Sequence, residues 1–149
     1  MLCRSALNAI LSQPLVVAPR GHRGGDPHGN ARSPAQVLSD ISRGGEAGGI
    51  RLLERTTIDL IFDEQSDGMD LVLGMPLRRG IGYALSKRAA VPWIPDERIY
   101  FWGGWGGSVI IMDVGRRMTI SYVMNKMASS IIGSDRSARY TRAIYQAFG

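Results

Sequence analysis

The residues best suited to chemistry fall in two places. His22, Asp26 and His28 form a His-x-x-x-Asp-x-His set whose types suit zinc, because two neutral imidazoles and a carboxylate make three ligands. They sit in residues 20–30, a stretch so dense in glycine and proline that it reads as loop, with no scaffold to orient ligands. A solvated loop is the stronger reading, and no metal or other cofactor is expected. The second place is Trp102-Gly103-Gly104-Trp105-Gly106-Gly107-Ser108. Glycines at a strand start let another backbone, or a ligand, approach closely. An amide facing such a ligand can also donate to a developing oxyanion. Taken by itself, the same segment reads more simply as a glycine bulge with two packed tryptophans.

Acyl transfer of that kind needs a nucleophile. One common solution is a serine with a lysine three positions later on a helix, which stacks the amine one turn from the hydroxyl, where it can accept the proton. Lys87 and Lys126 are the only lysines, and neither has a serine three residues before it. No Tyr-x-Asn and no Gly-x-Ser-x-Gly occurs either. The sequence holds no recognisable activated nucleophile. A serine–histidine pair drawn from Ser108 and the 22–28 loop is a poor substitute.

The elements that must position the glycine-rich segment can be read from hydropathy. Ser33 suits an N-cap and Pro34 a first helical position; Val37, Leu38 and Ile41 then share a face, and Gly44-Gly45 stops the helix. A turn over 46–49 leads into 50–53, and a second helix is predicted over 56–64 with Ile58, Ile61 and Phe62 buried. Residues 65–76 read as turn-rich surface chain, 80–85 as a strand and 86–98, with Pro92 and Pro95, as loop. Strands are predicted over 99–102, 108–112 and 118–124. The middle one is apolar throughout, as expected of a strand covered on both faces. In the third, Met118, Ile120, Tyr122 and Met124 share one face, while Thr119, Ser121 and Val123 leave the other open to close packing by a helix. Ser134-Asp135 caps a last helix reaching about 148, with Tyr140, Ile144 and Phe148 on its buried face beside Thr141 and Ala147. Helices, an antiparallel meander and a closing helix make an α+β layer within a single domain over 1–149, residues 1–27 being loosely attached or divergent.

Composition narrows the function. The net charge is +5, and 16 of the 18 basic residues are arginine. They are scattered from Arg4 to Arg142, often beside acids, rather than clustered along one stripe, which argues against nucleic-acid binding. Cys3 stands alone, so no intrachain disulfide and no cysteine-based metal site can form. The apolar run over 6–18 is broken by Asn8, Ser12, Gln13 and Pro14, a poor signal-peptide core. The lack of acids before Asp26 leaves a transit peptide conceivable. No stretch approaches the roughly 18 apolar residues of a membrane span. A soluble, cytoplasmic protein is expected.

From His28 onward the chain resembles the serine hydrolases of the class C β-lactamase fold, especially the carboxylesterases often called family VIII. The resembling pieces come in the family's order. They are His28-Gly29-Asn30-Ala31-Arg32-Ser33, Gly44-Gly45 with Arg51-Leu52-Leu53, Gly80-Ile81-Gly82-Tyr83, Trp102-Gly103-Gly104 with Trp105-Gly106-Gly107-Ser108, and Tyr122-Val123-Met124-Asn125 with the last helix. The likeness implies the C-terminal part of a β-lactamase/transpeptidase-like fold, an antiparallel sheet flanked by helices.

It also implies that Trp102-Gly103-Gly104 fills the slot of the family's Lys-Thr-Gly or His-Gly-Gly motif, and that Trp105 offers an oxyanion-hole amide. Trp102, Gly103, Gly104 and Trp105 are thereby the expected substrate-binding residues. Losing lysine at this slot removes a cation for a substrate carboxylate, which favours small esters over β-lactams. The family's first two motifs would precede residue 1. The expected protein is therefore a piece of a serine esterase, inactive by itself, whose partner is a complementary N-terminal chain or a second copy. The alternative is a binding or interaction protein on a hydrolase-derived scaffold, with a cleft near Trp93, Trp102 and Trp105.

Overall fold

The computed structural model describes residues 30–148. Cys3, the 6–18 run, and His22, Asp26 and His28 lie outside the described residues.

Helix α1 (Arg32–Ser42) starts two residues earlier than a Ser33 cap predicts, and the Asn30 side-chain oxygen accepts the Arg32 amide at 3.1 Å. Pro34 falls in the first turn, where its missing N–H costs no hydrogen bond. At the other end the Gly44 and Gly45 amides donate back to the Ile41 and Asp40 carbonyls, at 3.1 and 2.7 Å, and the helix stops as expected. Leu38 and Ile41 pack inward, but Val37 is 69% exposed, off the face predicted for it. A short hairpin, β1 (Glu46–Ala47) and β2 (Ile50–Arg51), leads to α2 (Arg55–Ile61). Ile58 of α2 is buried, and Ile61 and Phe62 pack beside it.

The rest of the chain is built on six antiparallel strands, each bonded to the next in sequence. They are β3 (Ser66–Asp70), β4 (Met75–Arg79), β5 (Ala84–Leu85), β6 (Ile99–Gly103), β7 (Val109–Asp113) and β8 (Met118–Tyr122). The meander β6–β7–β8 matches the sequence reading, with β8 ending at Tyr122 rather than 124. Two differences lie before it. Residues 66–79 form a hairpin rather than a surface wrap, and of 80–85 only Ala84 and Leu85 join the sheet.

Strand alternation sends side chains to two clusters. Leu77, Ala84, Ile99, Phe101, Val109, Ile111 and Ile120 fill one, with Ile144 and Tyr145 of helix α3 (Asp135–Phe148) laid against it. Leu85, Tyr100 and Met112 fill the other, under Ile41 of α1 and Ile58 of α2. Each fully buried Ile or Phe contributes about 1.5–3 kcal/mol, so these strands dominate the stability. Helix α3 turns a different face inward than its aromatics suggest. Ser137, Ala138 and Thr141 are buried, whereas Tyr140 and Phe148 are 59% and 51% exposed. Small side chains let the helix backbone approach, and Tyr140 instead stacks on Tyr122, ring centroids 5.8 Å apart. Among the described residues no helix is long and apolar enough to cross a membrane.

Candidate functional site

The glycine-rich segment is the connection between β6 and β7, and its backbone is fully specified. Gly107 donates to the Gly104 carbonyl at 3.1 Å, closing a four-residue turn with Trp105 and Gly106 at its centre. Gly106 has φ +95° while Trp105 keeps an ordinary negative φ. That is the pattern of a type II turn, whose third position demands glycine. The Gly104 amide donates to the Ser108 carbonyl at 3.0 Å.

Residues 124–134 buttress this turn from behind. The Gly106 amide donates to the Ser130 carbonyl at 3.0 Å, and Ala128 donates to the Gly106 carbonyl at 2.8 Å. A Cβ on Gly103 would stand 2.6 Å from the Ile131 carbonyl oxygen, so glycine is required there by close approach alone. Ser108 belongs to the same brace. Its hydroxyl accepts the Met124 amide at 3.2 Å, which is a structural role.

The opposite side of the turn is open. Nothing lies within 4 Å of a Cβ built on Gly104, and Trp105 is 73% exposed. Among the described residues the Trp105 amide has no hydrogen-bond partner. Trp102 is half-buried against the first cluster, and the Arg79 guanidinium lies over its ring, 5.1 Å from the centroid. Arg79 is in turn paired with Asp70. The Asp70 carboxylate also accepts the Val72 and Leu73 amides at 2.9 and 2.8 Å. The Leu73 amide, then Arg79, hold its carboxyl below the usual carboxylate range. The result is a hairpin tip braced by hydrogen bonds to Asp70, with Leu71 and Val72 both more than nine-tenths exposed.

Of the residues singled out in the sequence, Trp102 packs against the first cluster, Gly103 backs onto Ile131, and Gly104 and Trp105 are open in the turn that follows. The three tryptophans are not gathered into one cleft. Trp93 lines a separate cavity of about 610 Å³ with Pro92 and residues from 128–142, to which neither Trp102 nor Trp105 contributes. Arg79 and Asp70 escaped sequence reading, because only the β3–β4 pairing brings them together. Among the described residues no cluster of three or more His, Cys, Asp or Glu could hold a metal.

The described chain is a mixed layer of helices and antiparallel sheet with a glycine-built turn at one end of β6 and β7. The sequence profile of the Beta-lactamase family matches residues 6–142, and the chain belongs to that family. Two solved structures are similar to it. One is a family VIII carboxylesterase, 32% identical with a TM-score of 0.73, over 79% of this chain and 31% of the other. The second is a novel penicillin-binding protein homologue from Caulobacter crescentus, 29% identical with a TM-score of 0.73, over 80% of this chain and 33% of the other. The chain thus spans about a third of the length of these structures. No curated protein matches it.

Proposed function

We propose that this chain is the C-terminal part of a serine carboxylesterase and supplies one wall of its active site. The observation that carries the reading is the unpartnered Trp105 amide beside the open surface at Gly104. A pre-oriented N–H of that kind stabilises the oxyanion of a tetrahedral acyl intermediate, and its loss typically costs a hundredfold or more in rate. Trp102, held by Arg79, shapes the apolar side of the same wall for the acyl or alcohol group.

The nucleophile and its lysine are absent from these 149 residues, so the acyl-serine would form on a part of the enzyme outside them. Strand β8 has a neighbour on one side only among the described residues, which leaves an edge where such a part can pair. An oxyanion donor without a nucleophile has no intermediate to stabilise, so the chain by itself is inactive.

The test is fluorophosphonate labelling of the purified, folded chain, run beside hydrolysis of a short p-nitrophenyl ester. The expected result is silence in both. Turnover should appear when a chain bearing Ser-x-x-Lys from a family VIII carboxylesterase is supplied. Labelling with turnover by this chain unaided would overturn the reading, and peptide mapping would name the serine.

A further inference from the structure

At the opposite end of β6 and β7 from the glycine-rich turn, the chain folds a groove of about 360 Å³ between the end of α1, helix α2 and the β7–β8 turn. Four guanidinium groups line it, from Arg43, Arg55, Arg98 and Arg117, against a single carboxylate, Asp59. Asp59 is already engaged, accepting from Arg98 at 2.6 Å. Among the described residues Arg43, Arg55 and Arg117 have no ion-pair partner.

Two details set this groove apart from a solvated surface. Outside the groove Arg79 is matched by Asp70 and Arg116 by both Glu97 and Asp113, whereas the groove brings three arginines without an ion pair together around one engaged carboxylate. Arg117 is also the only non-glycine described residue with a positive φ, +52°. A left-handed backbone costs a side-chain-bearing residue about 1–2 kcal/mol, and the strain sits where the chain turns a cation into the groove. Three unmatched guanidiniums on one concave surface repel each other and need a counter-charge.

We propose that this groove is a binding site for a small phosphate-bearing anion, a diphosphate group in particular. Planar guanidinium groups bind phosphate oxygens in pairs, and three free cations match the charge of a diphosphate. Gly44, whose φ of +82° favours glycine, forms part of one wall. The site is separate from the glycine-rich wall and needs no nucleophile.

Calorimetric titration of the chain with sodium pyrophosphate at about 0.1 M salt, where the Debye length is about 10 Å, tests it. Saturable one-to-one binding is expected. Arg55→Gln and Arg117→Gly should each weaken it about tenfold, the loss of one charged hydrogen bond. Arg117→Gly relieves the backbone strain, so its fold is retained. Arg88→Gln makes the same charge change at an exposed position outside the groove and should leave binding unaltered. Equal affinity for ADP and pyrophosphate would make the phosphates the whole determinant, and tighter ADP binding would make a nucleotide the source. The proposal fails if neither ligand saturates, or if Arg88→Gln weakens binding as much as the groove variants do.

Discussion

Ser42, the last residue of α1, and Thr119, the second residue of β8, place their hydroxyl oxygens 2.7 Å apart. Ser42 is buried, and its hydroxyl also contacts the Ser39 carbonyl oxygen, at 3.0 Å. This pair fixes the first helix on the sheet where no large side chain intervenes. Ser42→Ala should cost about 1–2 kcal/mol, because it strips Thr119 of its partner. Denaturant midpoints measure this. Ser42→Ala combined with Thr119→Val should cost less than the two single changes added, since the pair is then removed as a unit.

The turn between β6 and β7 contains glycines with opposite demands. Gly106→Ala should destabilise by about 1–2 kcal/mol, because alanine opposes the positive φ, and its methyl would also meet Met124 and Met127. Gly104→Ala should shift stability by no more than about 0.5 kcal/mol, as the added methyl points into open space. Thermal or urea denaturation of the two variants side by side checks the contrast. Equal losses would mean that the turn has a different geometry.

Acid should loosen the β3–β4 tip before the rest of the sheet. The folded state holds the Asp70 carboxyl below its ordinary value, chiefly through the Leu73 amide and Arg79. Its contribution is therefore complete above the ordinary carboxylate value, and is lost as pH falls through the lowered folded one. Arg116 lowers Glu97 as well, so the readout has to be local. Hydrogen exchange at the Val72 and Leu73 amides, corrected for intrinsic rates, should show protection falling below pH about 4. In Asp70→Asn, which keeps an acceptor oxygen, that protection should be nearly flat with pH.

The exposed edge of β8 should make the protein associate at high concentration. Val123, just past the strand, is exposed and apolar. Light scattering across a concentration series should show larger species, and Val123→Lys should shift them toward monomer, because a charge blunts an edge. A monomer at every concentration would rule out self-pairing.

Much of the fold was legible because hydropathy dictated it. The apolar runs at 99–102 and 108–112 and the glycines between them permit little other than a tight strand pair. The small face of Thr119 and Ser121 announced the helix that Ser42 brings to it. The β3–β4 hairpin was hidden because Ser66-Asp67-Gly68-Met69-Asp70 carries no β-branched residue. It is held by pairing at a distance, Asp70 with Arg79 and Lys87 with Asp67, which no local window reveals. The inward face of α3 was legible only in part. Thr141 and Ile144 turn inward as expected, but Tyr140, Ala147 and Phe148 are exposed, and Ser137 and Ala138 take the rest of the inward face. At the candidate site the wall residues were legible as a string, but the open face at Gly104 and the cation over Trp102 depend on the folded neighbours.

The brace behind the glycine-rich turn acts through backbone atoms. Gly103 faces the Ile131 carbonyl, the Ile132 Cα and the Gly133 amide, and the Gly106 bonds run to main-chain groups of Ala128 and Ser130. Mutational tolerance should therefore be lopsided across this contact. In a saturation scan scored on folding, Gly103 and Gly106 would accept almost nothing, while Ala128 and Ile131 opposite them would accept many replacements. A lineage could thus remodel the outer surface of that strip without disturbing the wall it supports.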